Sequence, residues 1–148
     1  MRKVTIYTDG ACKGNPGKGG IGFILIDQSK KTLSGSQGYK NTTSNRMELT
    51  AAIIALQLLK YRCEIILYTD SKYLADSINK GWLEKWLSDP CFMNRKNEDL
   101  WKKLHAEIQK HEITIRWIKG HSNNAYNNLV DLLASCACNN NHTIKHNY

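Results

Sequence analysis

Two short segments of this 148-residue chain end alike. Val4-Thr5-Ile6-Tyr7-Thr8-Asp9 is followed by Gly10, and Ile65-Ile66-Leu67-Tyr68-Thr69-Asp70 by Ser71, so each apolar run closes in Tyr-Thr-Asp and a small residue. Runs of this kind read as strands, which puts an aspartate at the carboxyl end of each. If the two strands are parallel neighbours, both carboxylates lie at the sheet edge where open α/β sheets bind ligands. Carboxylates brought together there repel unless a cation or a proton sits between them. A single strand-end Asp usually caps a turn or a helix. Two further acids fit the same edge: Glu48, opening a helical segment, and Asp131, within Leu129-Val130-Asp131-Leu132-Leu133. Taken singly, Glu48 would close a capping box and Asp131 would lie on an exposed helix face, but four acids at element ends resist four separate explanations. Hard cations such as Mg²⁺ take oxygen ligands. Three or four clustered carboxylates form the donor set of two-metal phosphodiester hydrolysis, with the ions roughly 3.5–4 Å apart, and no nucleophilic Ser, Cys or His is then required.

The elements that position these acids follow from hydrophobic period. Residues 3–9 read as a strand, Gly10 to Gly20 as a loop, 20–27 as a buried strand and 31–38 as a more polar one, giving an antiparallel meander. Leu49, Ala52, Ile53, Leu56 and Leu59 recur at helical spacing over 44–60, with Ser44 or Asn45 as N-cap. The strand from Glu64 to Thr69 follows that helix, a crossover that makes strands parallel. Shorter helices over 71–80, 82–88 and 98–110, a strand at 113–118 and a helix at 126–137 complete one domain, residues 1–138, and the Asn-rich tail 139–148 is expected to fray. The fold class is α/β, or α+β by stricter accounting, with a mixed five-stranded sheet flanked by helices.

Composition narrows the function. The net charge is +8, and residues 1–60 hold nine Lys and Arg against three acids, a bias that favours a polyanion such as nucleic acid. No apolar run is long enough to span a bilayer, and five Cys without framework spacing suit free thiols in a reducing compartment. The expectation is a cytoplasmic protein, by default a monomer, with no membrane partner.

Five segments, in order, resemble a known family. Tyr-Thr-Asp-Gly-Ala-Cys-Lys-Gly-Asn-Pro-Gly (7–17), Thr-Thr-Ser-Asn-Arg-Met-Glu-Leu (42–49), Tyr-Thr-Asp-Ser (68–71), Lys-Asn-Glu-Asp-Leu-Trp (96–101) and Trp-Ile-Lys-Gly-His (117–121) are similar to the type 1 ribonuclease H enzymes, in their bacterial form, over residues 1 to about 138. The resemblance implies a ribonuclease H-like fold and endonucleolytic hydrolysis of RNA in RNA–DNA hybrids with Mg²⁺, two ions with substrate and Mn²⁺ as a possible substitute, leaving 5′-phosphate and 3′-hydroxyl ends. Its metal ligands fall on Asp9, Glu48, Asp70 and Asp131, with Asp9 shared between ions, and its mobile-loop histidine on His121. Contacts to the RNA 2′-hydroxyl fall on Cys12, Asn15 and Asn45, with Ser44 beside them. The pocket for a DNA-strand phosphate maps in part onto Thr43 and Asn97, and the DNA strand's groove onto Tyr73 and Trp82.

Several positions depart from that pattern. Ser44 replaces an Asn, Asn41 an Arg, Lys72 a Gln, and Asn128 and Leu129 replace Glu and Arg. The basic protrusion between Gly81 and Trp101 is short, and six cations against four acids over 80–103 imply a weak salt dependence. Trp82 and Trp86, four apart beside Leu83 and Leu87, also fit packing. Gly17 to Gly22 has dinucleotide-fingerprint spacing but precedes a strand, so it is rejected. Cys136, Cys138, His142 and His146 are a weak zinc candidate because Cys-x-Cys is tighter than usual. Two rivals remain: a hybrid-binding module without catalysis, and a nuclease of the same fold acting on DNA.

Overall fold

The computed structural model describes residues 1–89, 96–120 and 123–139, with the backbone of 143–145. Strands β1 (Arg2–Gly14), β2 (Gly17–Asp27) and β3 (Thr32–Thr42) form the meander, and α1 (Ser44–Gln57) crosses back to β4 (Cys63–Thr69). Then come α2 (Lys72–Asn79), α3 (Trp82–Leu87), α4 (Glu98–Ile108), β5 (Glu112–Trp117), α5 (Ala125–Ala137) and β6 (Thr143–Lys145). The sheet order is β5-β4-β1-β2-β3-β6. The neighbours β1 and β4 are parallel, as the crossover requires, and Tyr7 stands opposite Tyr68. Two residues further on, Asp9 and Asp70 therefore leave the sheet at the same level.

The five expected strands and their helices are present, with two corrections. The expected loop from Gly10 to Gly20 is a continuous hairpin, since Gly10 to Gly14 pair with Ile21 to Gly17. Glycines carry no side-chain period, so a ladder formed by partners on both sides of β2 leaves little trace in the sequence. The tail is not wholly frayed either: Thr143–Lys145 pairs in parallel with Gly38, Tyr39 and Lys40 of β3. An edge strand presents unpaired N–H and C=O groups, and a short β-prone segment supplies partners for them.

Alternation along β1 sends Val4 and Ile6 to one face, where α1 and α4 pack, and Tyr7 to the other, with Ile24, Ile26 and Val130 of α5. Helix α1 is buried on nearly every side, and Met47, Leu49, Ala51, Ala52, Ala55 and Leu56 are fully enclosed. Such a helix is apolar all round because it lies between a sheet and other helices. Its N-cap is Thr43, one residue before the expected Ser44 or Asn45, and the Thr43 hydroxyl accepts from the Arg46 amide at 3.3 Å.

Arg46 is itself buried, 2% exposed, and its guanidinium donates to both carboxylate oxygens of Asp99 at 2.9 and 2.7 Å, tying α1 to α4. Those hydrogen bonds hold Asp99 below the ordinary carboxylate range. Asp99→Ala would leave a buried cation without this partner, a change expected to cost about 2–3 kcal/mol at pH 7. The folded state lowers the Asp99 value, so its contribution is present above the unfolded value and lost as pH falls through the folded one. The difference in thermal midpoint between wild type and variant is therefore expected to narrow below about pH 4, measured by thermal unfolding across pH.

Candidate active site

Asp9 lies within β1, two residues past its last pair with β4, and Glu48 projects from α1 toward it. A capping role for Glu48 is excluded, since no acid occupies the first turn of α1. Its carboxylate is instead held by the Gly10 amide, which also donates to Asp9 Oδ1 at 2.9 Å, and by the Thr69 hydroxyl. Gly10 allows this because a Cβ there would stand 2.5 Å from the Glu48 amide nitrogen. Asp70 completes the group: Asp9, Glu48 and Asp70 each offer an oxygen, and these lie within 4.8 Å of one another. Asp131, half-buried on α5, shares a hydrogen bond with Asp9. The structure thus brings together all four predicted acids. The roles of Gly10 and Thr69 leave little sequence signal: the echo differs at Gly10, where the second segment has Ser71, and is the same at Thr69, where the first has Thr8.

Burial and the neighbouring carboxylates push Asp9 up to about 11 and Glu48 up to about 8. Without a cation, burial and crowding favour the protonated form of Asp9, which is hydrogen-bonded to Glu48 and Asp131. The donor set is therefore buried oxygen with surplus negative charge, the environment a hard divalent cation fits. Raised folded values mean that folding binds protons, so this stability is complete below the unfolded values near pH 4 and is lost as pH rises toward 8 and beyond. Chelated protein is expected to lose thermal midpoint between roughly pH 6 and 9, and Mg²⁺ to suppress that loss, a comparison for scanning calorimetry.

Two further groups of candidates flank the acids. At the hairpin tip the Cys12 thiol faces the carbonyls of Gly14 and Thr42 at 2.9 and 3.4 Å, and burial raises its pKa. Asn15 Oδ1 accepts from the Ser44 amide at 3.2 Å, joining the tip to the first turn of α1, where Ser44 and Asn45 are exposed. The second group is built on Tyr73, whose hydroxyl accepts from Asn97 Nδ2 at 3.2 Å and from the Trp101 indole at 3.1 Å. Thr43 and Asn97 converge through Arg46, which is capped by the first and contacts the second at 3.4 Å. Trp82 is 41% exposed, its ring tilted against that of Trp86 at 6.3 Å between centres and the Lys80 ammonium over it, while Trp86 also packs on Trp101. The packing reading thus suits Trp86 and, through their ring contact, Trp82 in part.

His121 lies outside the described residues. So do His142 and His146 of the zinc candidate, while Cys136 is exposed and the buried Cys138 thiol faces the Ala11 carbonyl. A cleft lined by Arg2, Lys31, Leu33, Leu59 and Tyr61 lies at the other end of β1 and contains none of these site residues.

The chain matches the RNase H family model over residues 1–139. It is 52% identical over 146 residues to a ribonuclease H of Chlorobium phaeobacteroides, covering 95% of this chain and 99% of that protein. It is 51% identical to a ribonuclease H of Rickettsia canadensis, covering 91% and 88%. Among solved structures, LC9-RNase H1, a type 1 RNase H with the type 2 active-site motif, superposes with a TM-score of 0.81 at 24% identity over 94% of this chain and 73% of that one. LC11-RNase H1, solved in complex with an RNA/DNA hybrid, gives 0.68 at 24% identity over 92% and 96%. At that identity the structural likeness speaks for the fold.

Proposed function

Because the chain belongs to the ribonuclease H family, we propose that it is a metal-dependent endonuclease hydrolysing the RNA strand of RNA–DNA hybrids to 5′-phosphate and 3′-hydroxyl ends. The observation that carries this reading is the meeting of Asp9, Glu48 and Asp70 within 4.8 Å just past the parallel pairing of β1 and β4, with Asp131 bonded to Asp9. These four carboxylates would hold Mg²⁺, two ions with substrate. Bound there, divalent ions supply an activated water and positive charge for the departing oxygen.

The chain's own groups prepare that chemistry. The Gly10 amide and Thr69 hydroxyl hold Glu48, so its orientation is set before substrate arrives. We read Cys12, Asn15, Ser44 and Asn45 as the contacts to ribose across a shallow minor groove, where A-like helices expose 2′-hydroxyls. Thr43, Asn97 and Tyr73 take a phosphate of the DNA strand, and exposed Trp82 offers a flat surface to its sugars. His121 is the proposed proton carrier. Free thiols at Cys12, Cys63, Cys136 and Cys138 support a cytoplasmic, reducing location, and we read the protein as a monomer.

The substrate assignment is tested by incubating the protein and Mg²⁺ with one sequence prepared as hybrid, duplex DNA and duplex RNA. Cleavage confined to the hybrid is expected. Cutting of duplex DNA would transfer the site to a DNA nuclease of the same fold, and tight hybrid binding without cleavage would mark a binding module.

A further inference from the structure

Lys72 begins α2, two residues after Asp70, and is exposed. An ammonium so near clustered acids would ordinarily pair with a carboxylate, and Asp76, one helical turn on, is the local choice. Asp76 instead pairs with Lys80 at 3.6 Å. The Lys72 ammonium lies over the indole of Trp117, 4.8 Å from the ring centre. Trp117 stands opposite Thr69 in the parallel β4–β5 ladder, and its indole N–H donates to the Asp70 carbonyl at 2.9 Å. Ring and ammonium are therefore fixed to the same backbone residue that supplies a metal ligand. A cation on an aromatic face keeps its charge and its three N–H donors largely unspent, whereas an ion pair would neutralise it.

We infer that Lys72, seated on Trp117, is a phosphate contact for the cleaved strand, gripping a backbone phosphate beside the scissile one. The inference rests on the hybrid-cleaving reading and makes it more specific. The scissile phosphate must sit at the carboxylates, and successive backbone phosphates flank it. Lys72 has a four-carbon stem with a compact charge at its tip, which suits a single phosphate oxygen rather than a base edge. Sequence-independent contacts of this type position a strand without reading it. The contact also offsets the short basic protrusion, placing one charge close to the chemistry instead of at a distance from it.

Each phosphate contact adds about 0.9 to the slope of log affinity against log salt for a duplex. Lys72→Gln is therefore expected to weaken hybrid binding and flatten that slope by about 0.9, so that the wild-type advantage shrinks about 3.5-fold between 50 and 200 mM salt. The experiment measures hybrid binding by fluorescence anisotropy in chelator, and KM for cleavage in Mg²⁺, across that salt range. Wild type, Lys72→Gln, Lys72→Arg and Lys30→Gln are compared, the last removing one charge at the far end of β2. A flatter slope and higher KM for Lys72→Gln alone, with Lys72→Arg near wild type, is the expected result. Equal slopes for wild type and Lys72→Gln, in a wild type that binds and cuts hybrid, would overturn the Lys72 assignment. A wild type that neither binds nor cuts hybrid would instead remove the functional reading, and the contact with it.

Discussion

Asp70→Asn is expected to lower the rate of hybrid cleavage at least about 10³-fold, on the order of 4 kcal/mol in the barrier, while the protein stays folded. Asp9→Asn should do the same. The amide keeps the shape of the carboxylate but loses the charge that holds a divalent cation. In chelator Asp70→Asn should be more stable than wild type, because it removes a carboxylate whose charge adds to burial in pushing Asp9 and Glu48 upward. A gain of roughly 1 kcal/mol would raise the thermal midpoint by about 3 °C for a chain of this size. Mg²⁺ should stabilise wild type and leave Asp70→Asn nearly unmoved. Activity loss without the gain in stability would mean that the carboxylates are not crowded in solution as they are in the structure.

Gly22→Val should damage both stability and activity without altering any carboxylate. Gly22 is paired with Asp9 across β1 and β2, and α5 crosses directly over it. A Cβ there would lie 2.5 Å from the Val130 carbonyl oxygen and 2.8 Å from the Leu133 Cβ. The first of these is helix backbone, which cannot rotate away as a side chain could, so α5 must lift. Overpacking of this kind costs about 1–3 kcal/mol, occasionally more, and the branched side chain puts valine at the upper end. Lifting α5 also moves Asp131 away from Asp9, so kcat should fall together with the thermal midpoint. Gly22→Ala, with a smaller insertion, should show both effects in reduced form, which keeps the test informative if the valine variant does not fold. Wild-type stability in Gly22→Ala would show that α5 has room to spare at this crossing.

Parallel pairing of the two Tyr-Thr-Asp strands was legible because the motif repeats and one helical segment connects meander to strand. From that pairing alone Asp9 and Asp70 had to share an edge. Glu48 was legible as an acid on the right helix but not in its role, because what orients it is the amide of Gly10, 38 residues away. Periodicity reports which face is buried, not which backbone N–H points at a side chain. The hairpin through Gly10 to Gly20 was hidden for a related reason, since its ladder lies between strands whose register is set by the whole sheet. Strand β6 depends on the open edge of β3, and the Arg46–Asp99 pair spans 53 residues, so neither leaves a local signal. Trp82 and Trp86 share a spacing, but only the packing of Trp86 on Trp101 separates the half-buried ring from the exposed one.

The central claim is that these carboxylates, with a divalent ion, cut RNA only when it is paired with DNA. The most direct test resolves end-labelled RNA on a gel after incubation as hybrid, as duplex RNA and as single strand, with Mg²⁺ or chelator, for wild type and Asp70→Asn. Cleavage is predicted in the lane with wild type, hybrid and Mg²⁺, giving products with 5′-phosphate and 3′-hydroxyl ends. Intact RNA in that lane, or equal cutting by Asp70→Asn or in chelator, would contradict it.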